Sequence, residues 1–386
     1  MVRPAGFEPA TTWFEAKHSN PLNYGRVHLV LYQMRYTIYD MKITENQPLA
    51  PYTSLNVGGN ASELVEVNTY DDMVEILNNT PNLPLVLGYG CNVLISDNGI
   101  SGRTLIWRDG SISLDGSQLI VDAGVWWDDA VQYAIAHDLW GLELTSEIPG
   151  SVGGATFGNI AAYGQQVSDT LAWVDIYDFS AKKITRHLTN DFEFKYRWSS
   201  LQDQKNLIIL RAGFDLSNRP LHELRYESAL STATRLGITP DTLENSRKII
   251  IETRTRAGSI YHPGDSAHEH TAGSFFKNPM VPLEQARKLA TFDETGKTIE
   301  RIESQNKIHG GSSHRASAAH VLLAAGYERG HSWGKVRLNP KHVLKIETLP
   351  GATADEVYLA ANEIISVVKD RLGIVIEPEV KFIGFE

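Results

Sequence analysis

The sequence predicts an α+β protein, and three observations lead there. Strand-like segments, alternating or continuously apolar, fill residues 63–125 and return at 173–178 and 207–213. Helical periodicity takes over after residue 240 and ends in a long amphipathic helix. No tandem repeat links these segments. A chain of 386 residues is long enough for two or three domains.

Residues 1–40 show no sustained period and no apolar core of a secretory signal. The string Gly6-Phe7-Glu8-Pro9 could be encoded by the T-arm of an upstream transfer-RNA gene. Residues 1–40 are therefore expected to be a non-native or disordered extension, with the biological start at Met41. From Glu63, ELVEVNT alternates as a strand, and Thr69 and Asp71 can cap a helix carrying Met73, Val74, Ile76 and Leu77. LPLVLGYG (83–90) is a buried strand entering a glycine turn, and TLIWR (104–108) is another strand. Residues 111–125 form a hairpin turning at Asp115-Gly116, and residues 126–139 an amphipathic helix. Helices are expected over 241–256 and 281–292. The last is framed by a Thr353/Glu356 capping box and a Gly373 C-cap, with Val357, Ala361, Ile364, Val368 and Leu372 on one face. Two strand-like pieces around Pro378 close the chain, and the main boundary falls near 216–222.

Composition excludes several classes. Apolar residues at 42% and charged residues at 21% are those of a folded domain, not a disordered one. No apolar run reaches the roughly 18 residues of a membrane helix. A net charge of -10 opposes non-specific nucleic-acid binding. Cys91 is the single cysteine, so neither an internal disulfide nor a cysteine-based zinc site can form, which suits a reducing cytoplasm. His262, His268 and His270 lack partners at ligand spacing and are expected in a solvated loop, with no metal.

Two glycine-rich segments carry chemistry. GYGCNVL (88–94) follows a strand, and its closely spaced glycines can form an anion-binding nest. Taken alone it is also an ordinary tight turn, and it lacks the third glycine of the Rossmann fingerprint. GLELTSEIPGSVGGATFGNIAAYG (141–164) has no charge after Glu147 until Asp169. An irregular surface loop would carry more charge, so this segment is expected to lie buried against something flat.

The pair, separated by a small hairpin sheet, resembles the FAD-binding domain of vanillyl-alcohol-oxidase type. More narrowly, it resembles the UDP-N-acetylenolpyruvoylglucosamine reductase family, through GYGCNVL, IPGSVGG and NIAAYG, then FKYRWS (194–199), GSFFKNP (273–279) and IEPEVKFIG (376–384). The resemblance covers residues 51–386. It implies a two-subdomain FAD-binding module of PCMH type followed by a C-terminal α+β substrate-binding domain. The expected ranges are 41–110, 111–218 and 219–386.

It also implies FAD as cofactor, NADPH as co-substrate and UDP-N-acetylglucosamine enolpyruvate as substrate, in a cytoplasmic monomer. By the same resemblance Gly88, Tyr89, Gly90, Cys91, Asn92, Val93 and Leu94 hold the cofactor. So do Ile148, Pro149, Gly150, Ser151, Gly153, Gly154, Asn159, Ala162 and Gly164. Tyr163, Tyr196, Tyr226, Arg256, Lys277 and Asn278 are expected on the substrate, Tyr226 matching a tyrosine loop of one subclass. Ser274, Arg197 and Glu379 are the expected catalytic residues. Reduced flavin would give hydride to the methylene carbon. Arg197 and Glu379 would stabilise the resulting charge, and Ser274 would return a proton.

Three departures stand out. Cys91 replaces a serine. Ala257 stands where an Arg-x-x-Lys stretch would place lysine, with Arg256 as its expected substitute. Residues 293–316 form an expected surface insertion. Two other readings are open. A sugar or hydroxy-acid oxidase often carries a histidine for covalent flavin attachment, and neither glycine loop has one. A non-catalytic FAD- or nucleotide-binding protein would have no use for Ser274, Arg197 and Glu379, though Ala257 speaks for it.

Overall fold

The computed structural model describes residues 42–264, 269–293, 296–309 and 313–385. The expectations for residues 1–40 and for His268 fall outside them.

The first sheet contains β1 (Ile43–Pro48), β2 (Asn60–Val67), β3 (Leu85–Leu87) and β5 (Ile100–Trp107), in the order β1-β2-β5-β3. β2, β5 and β3 run parallel, because α1 (Tyr70–Asn79) supplies the crossover. Thr69 caps α1, taking the Asp72 N–H at 3.1 Å while the Asp72 carboxylate takes the Thr69 N–H. Met73, Ile76 and Leu77 then pack with Val65, Val67 and Leu105 in a buried apolar core. β4 (Val93–Ile95) leaves this sheet.

The second sheet is antiparallel. It contains β6 (Ile112–Asp115), β7 (Gln118–Asp122), β8 (Leu171–Asp178), β9 (Lys183–Leu188) and β10 (Leu207–Asp215), in the order β9-β8-β10-β7-β6. Asp115 pairs with Gln118, so Gly116 and Ser117 make the turn. The expected Asp115-Gly116 turn is shifted by one because Asp115 stays in the ladder. α2 (Trp127–Ala136) and α3 (Val152–Gly158) cover this sheet. α3 corrects the expectation of a loop. Ser151 caps it by accepting from Gly154 N–H. Gly153 lets it approach β7's end, where a Cβ would lie 2.9 Å from that of Ala123. Among the segment's glycines Gly153 marks this close packing, while Gly150 supplies a φ of +139° just before the helix.

After Asp215 no helix or strand begins until α4 (Glu227–Leu236), followed by α5 (Leu243–Arg256). The remainder holds α6 (Leu283–Ala290), α7 (Lys297–His309), α8 (Ala318–Ala324), β11 (Val336–Leu338), β12 (Ile346–Thr348), α9 (Ala354–Leu372) and β13 (Lys381–Ile383). Of the predicted α9 stripe, Val357, Ala361, Ile364 and Val368 are fully buried and Leu372 partly so. This core also takes Leu55, Val57 and Leu94 from the N-terminal half.

Two expectations are corrected here. The expectation of a surface insertion at 293–316 fails for its described part, where Ile302 of α7 is buried in the core. Of the two closing strand pieces only β13 forms, and it pairs in parallel with β4. Pro378, which has no N–H to donate, makes only an isolated bridge with Phe276. Among the described residues no helix is long and apolar enough to cross a membrane.

Candidate active site

A cavity of about 2000 Å³ runs between the two glycine segments and the C-terminal core. The first segment is pinned from behind by Arg108. Its guanidinium donates to the carbonyls of Gly88 and Tyr52, each at 2.9 Å, and lies over the rings of Tyr52 and Tyr89. Tyr89 meets the edge of Trp126 at 4.5 Å and donates its hydroxyl to the Arg108 carbonyl. The two glycine segments touch each other. A Cβ at Gly88 would lie 2.5 Å from Ser151 Oγ. Burial pushes the Cys91 thiol up to about 12, so a neutral thiol stands where the resemblance expects a hydroxyl.

The catalytic candidates come from three distant parts of the chain. Tyr196 and Arg197 form the two-residue turn of a hairpin whose strands are Phe194–Lys195 and Trp198–Ser199. Arg197 has φ +54°, a conformation that costs a residue with a side chain about 1–2 kcal/mol. Such strain persists where the surroundings over-determine it, as at functional sites. Arg197 Nε lies 3.3 Å from Glu379 Oε1. Burial raises the Glu379 pKa, opposed by Arg197, Lys277 and Lys381. Ser274 stands on the wall between Gly273 and the buried Phe275-Phe276 pair, and Phe275 N–H donates to the Leu344 carbonyl.

α5 supplies a further cation. Arg247 donates through both terminal nitrogens to Asp128 at 2.7 Å, tying α5 to α2. Seven residues on, two turns along the same face, Arg254 enters the cavity beside Tyr163. The Tyr163 ring meets Tyr226 edge-on at 5.8 Å. Arg256 sits on the opposite side of α5, exposed and off the wall. It therefore does not substitute for the lysine absent at 257. Residues two apart on a helix point about 200° apart.

Most expected site residues line the cavity. Four do not. Leu94 is fully buried in the C-terminal core. Asn159 is buried at the end of α3, where its side chain binds the Lys195 carbonyl and the Ser168 N–H. Lys277 points to Glu377, 3.6 Å away. Arg256 is the fourth. Asn278 reaches the wall, with its amide oxygen accepting from Ala318 N–H. The wall also includes Arg254, Glu269, Arg301, Arg315, His320, Lys341 and Lys345, which the motifs did not supply. The seven-residue spacing of Arg247 and Arg254 was a usable signal for one of them. Among the described residues no cluster of metal-binding side chains is present.

A UDP-N-acetylenolpyruvoylglucosamine reductase of Mycobacterium ulcerans (strain Agy99) is 31% identical over 364 residues, covering 89% of this chain and 96% of its own. This chain belongs to the UDP-N-acetylenolpyruvoylglucosamine reductase family. A profile described as the C-terminal domain of that reductase matches residues 265–383, and one described as an FAD binding domain matches 61–184. The Streptomyces coelicolor reductase is 29% identical over 360 residues, covering 90% of this chain and 92% of its own. The crystal structure of UDP-N-acetylenolpyruvylglucosamine reductase from Thermus caldophilus shares the fold, with a TM-score of 0.59 and 23% identity over 89% of this chain and 98% of that one.

The residues of this reductase-family site fit FAD. Tyr89, Gly90 and Cys91 line the cavity, and their backbone N–H groups have no acceptor among the described residues. Such donors suit a pyrophosphate. The contact of Gly88 with Ser151 leaves no room for a side chain between the segments. The volume exceeds the roughly 300–1,000 Å³ of a single-ligand pocket, as a cofactor with a second nucleotide beside it requires.

Proposed function

We propose that this chain reduces UDP-N-acetylglucosamine enolpyruvate to UDP-N-acetylmuramate with NADPH and FAD, in peptidoglycan precursor synthesis. The observation that carries the reading is the meeting of Arg197 and Glu379 at 3.3 Å on a wall shared with Ser274 and both glycine segments. We further propose a cytoplasmic monomer serving cell-wall growth, cell shape and division.

When bound, FAD supplies two-electron chemistry, accepting hydride from NADPH and giving it to the enolpyruvyl methylene carbon. The chain's residues deal with what that leaves. The neighbouring substrate carbon gains an electron pair that spreads into its carboxylate. Arg197 is permanently cationic and can meet that carboxylate with a forked pair of donors. Glu379, its pKa raised by burial, can hold a proton and donate to the same group. Ser274 gives its hydroxyl proton to the carbanionic carbon, forming the C–H bond, and regains a proton from solvent. A serine hydroxyl suffices as the acid because its acceptor is strongly basic. Tyr163, Tyr226 and Arg254 form the aromatic and cationic side of the substrate site.

The test is anaerobic visible spectroscopy of the FAD-loaded protein. NADPH should bleach the flavin, and UDP-N-acetylglucosamine enolpyruvate should restore its colour. A bleached flavin that ignores this substrate would overturn the reading. In Ser274→Ala, bleaching should proceed at the unsubstituted rate while recolouring slows by about 10²-fold or more. Unchanged recolouring would remove Ser274 from the chemistry.

A further inference from the structure

Lys345 sits inside the core, just before β12, with 3% of its surface exposed. It is one of the residues of the cavity wall. Among the described residues it has no carboxylate at ion-pair distance. Its ammonium donates instead to the carbonyls of Gly258 and Ala257, the latter at 3.3 Å. Those carbonyls lie just beyond α5, so the contact also caps that helix. Two acceptors leave one of three donors free.

The charged groups around it do not neutralise it. Arg254 approaches from α5, and its Nε has no hydrogen-bond partner. Lys341 and His342 approach from the preceding loop. Glu269 is engaged by Lys341 at 2.8 Å and Asn339 at 2.7 Å, and Glu347 by Arg337. Burial, with Arg254 and Lys341, lowers the Lys345 pKa to about 8, against the pull of Glu269 and Glu347. A buried ammonium kept this way gains from an anion brought by a ligand. The place is also significant. Position 257, where the resemblance puts a lysine, is alanine, and the Lys345 ammonium lies on that residue's own carbonyl.

We propose that Lys345 receives the phosphate oxygens of the substrate's nucleotide part, standing in for a lysine at position 257. The proposal rests on the reductase reading above and adds the residue that holds the diphosphate. Lys345 and Arg254 then form one anion subsite assembled from two distant segments. The cation comes from just before β12 instead of from the end of α5, and its charge reaches the same corner.

Calorimetric titration of the FAD-loaded protein with UDP tests it. Lys345→Met should weaken UDP binding by roughly tenfold or more, and Lys345→Arg should retain most of the affinity. Adding Ala257→Lys to Lys345→Met should restore binding, because the lysine returns at the other segment. At pH 8 the unsubstituted protein should take up protons on binding UDP, measured in buffers of different ionisation enthalpy. Lys345→Arg should abolish that uptake.

A Lys345→Met protein with a lowered melting temperature but unchanged UDP affinity would overturn the proposal, leaving Lys345 as a cap of α5. If Lys345→Met does not fold, the proton uptake and its loss in Lys345→Arg decide the matter, and equal uptake in both would overturn it. Failure of the reductase reading looks different. The unsubstituted, NADPH-bleached flavin would not be recoloured by the enolpyruvyl substrate, whatever UDP does.

Discussion

Glu379 occupies a position where activity and stability pull apart. Burial raises its pKa even though Arg197, Lys277 and Lys381 favour the anion. Its folded pKa thus lies above the roughly 4.3 of a free glutamate. Its contribution to stability is fully present below that value and is lost as pH rises through the folded pKa. As pH rises above the free-glutamate value, the folded protein therefore carries a growing cost for burying this group. Glu379→Gln should keep or raise the melting temperature at pH 7 while cutting turnover by about tenfold or more. A fall of several degrees would mean that the pair with Arg197 outweighs the burial. Ser274, Arg197 and Glu379 could be named as candidates from the sequence because short motifs carry them, and the fold brings all three to one wall. Lys345 could not, since a lysine between Leu344 and Ile346 does not announce which cavity its head will reach. Leu94 and Asn159 show the converse: they lie inside the glycine motifs and serve the core and a helix end.

At the scale of single elements, the start of α9 has two layers of capping. Thr353 and Glu356 exchange hydrogen bonds at 3.2 and 2.9 Å, the box that the sequence predicts. Asp97, from the turn after β4, also accepts from the N–H groups of Ala354 at 3.0 Å and Asp355 at 2.8 Å. Its charge complements the helix dipole, and its oxygens satisfy two donors that the helix cannot. Asp97→Ala should cost about 1–2 kcal/mol in urea unfolding, and Asp97→Asn should recover part of it. A loss below about 0.3 kcal/mol would show that water replaces the carboxylate fully. The capping box was readable because its partners are three residues apart. Asp97 is separated from α9 by most of the chain, so only the fold reveals it. The same distinction holds for α5. Its period was plain in sequence, but its tether through Arg247 to Asp128 was not.

At the scale of the whole molecule, the last residues join the cofactor and substrate sides. Lys277 N–H donates to Glu377 O, and Glu379 N–H to Phe275 O, fixing the terminal segment along the serine segment. On its other side Lys381 N–H donates to Asn92 O, Asn92 Nδ2 to Glu379 O and Ser96 N–H to Ile383 O, and β13 pairs with β4. The terminal segment thus sits between the serine segment and the first glycine segment, with Glu379 just before β13. The sequence read this end as a motif and could not show that its partner strand lies far back, beside the flavin segment. A parallel pair between distant strands has no local signature. A chain ended after Glu377 loses Glu379 and also the support of Asn92 to Ser96. It should be isolated without bound flavin, not as a yellow but inactive protein, when absorbance per protein is compared with the full chain. Retention of FAD at full occupancy would mean that the glycine segments hold their form without β13. Reloading the truncated chain with added FAD separates weak binding from a collapsed cradle. Weakened but saturable binding would show that β13 tunes a cradle built by Arg108 and Ser151, whereas no binding at any FAD concentration would show that the cradle forms only when the chain closes on itself.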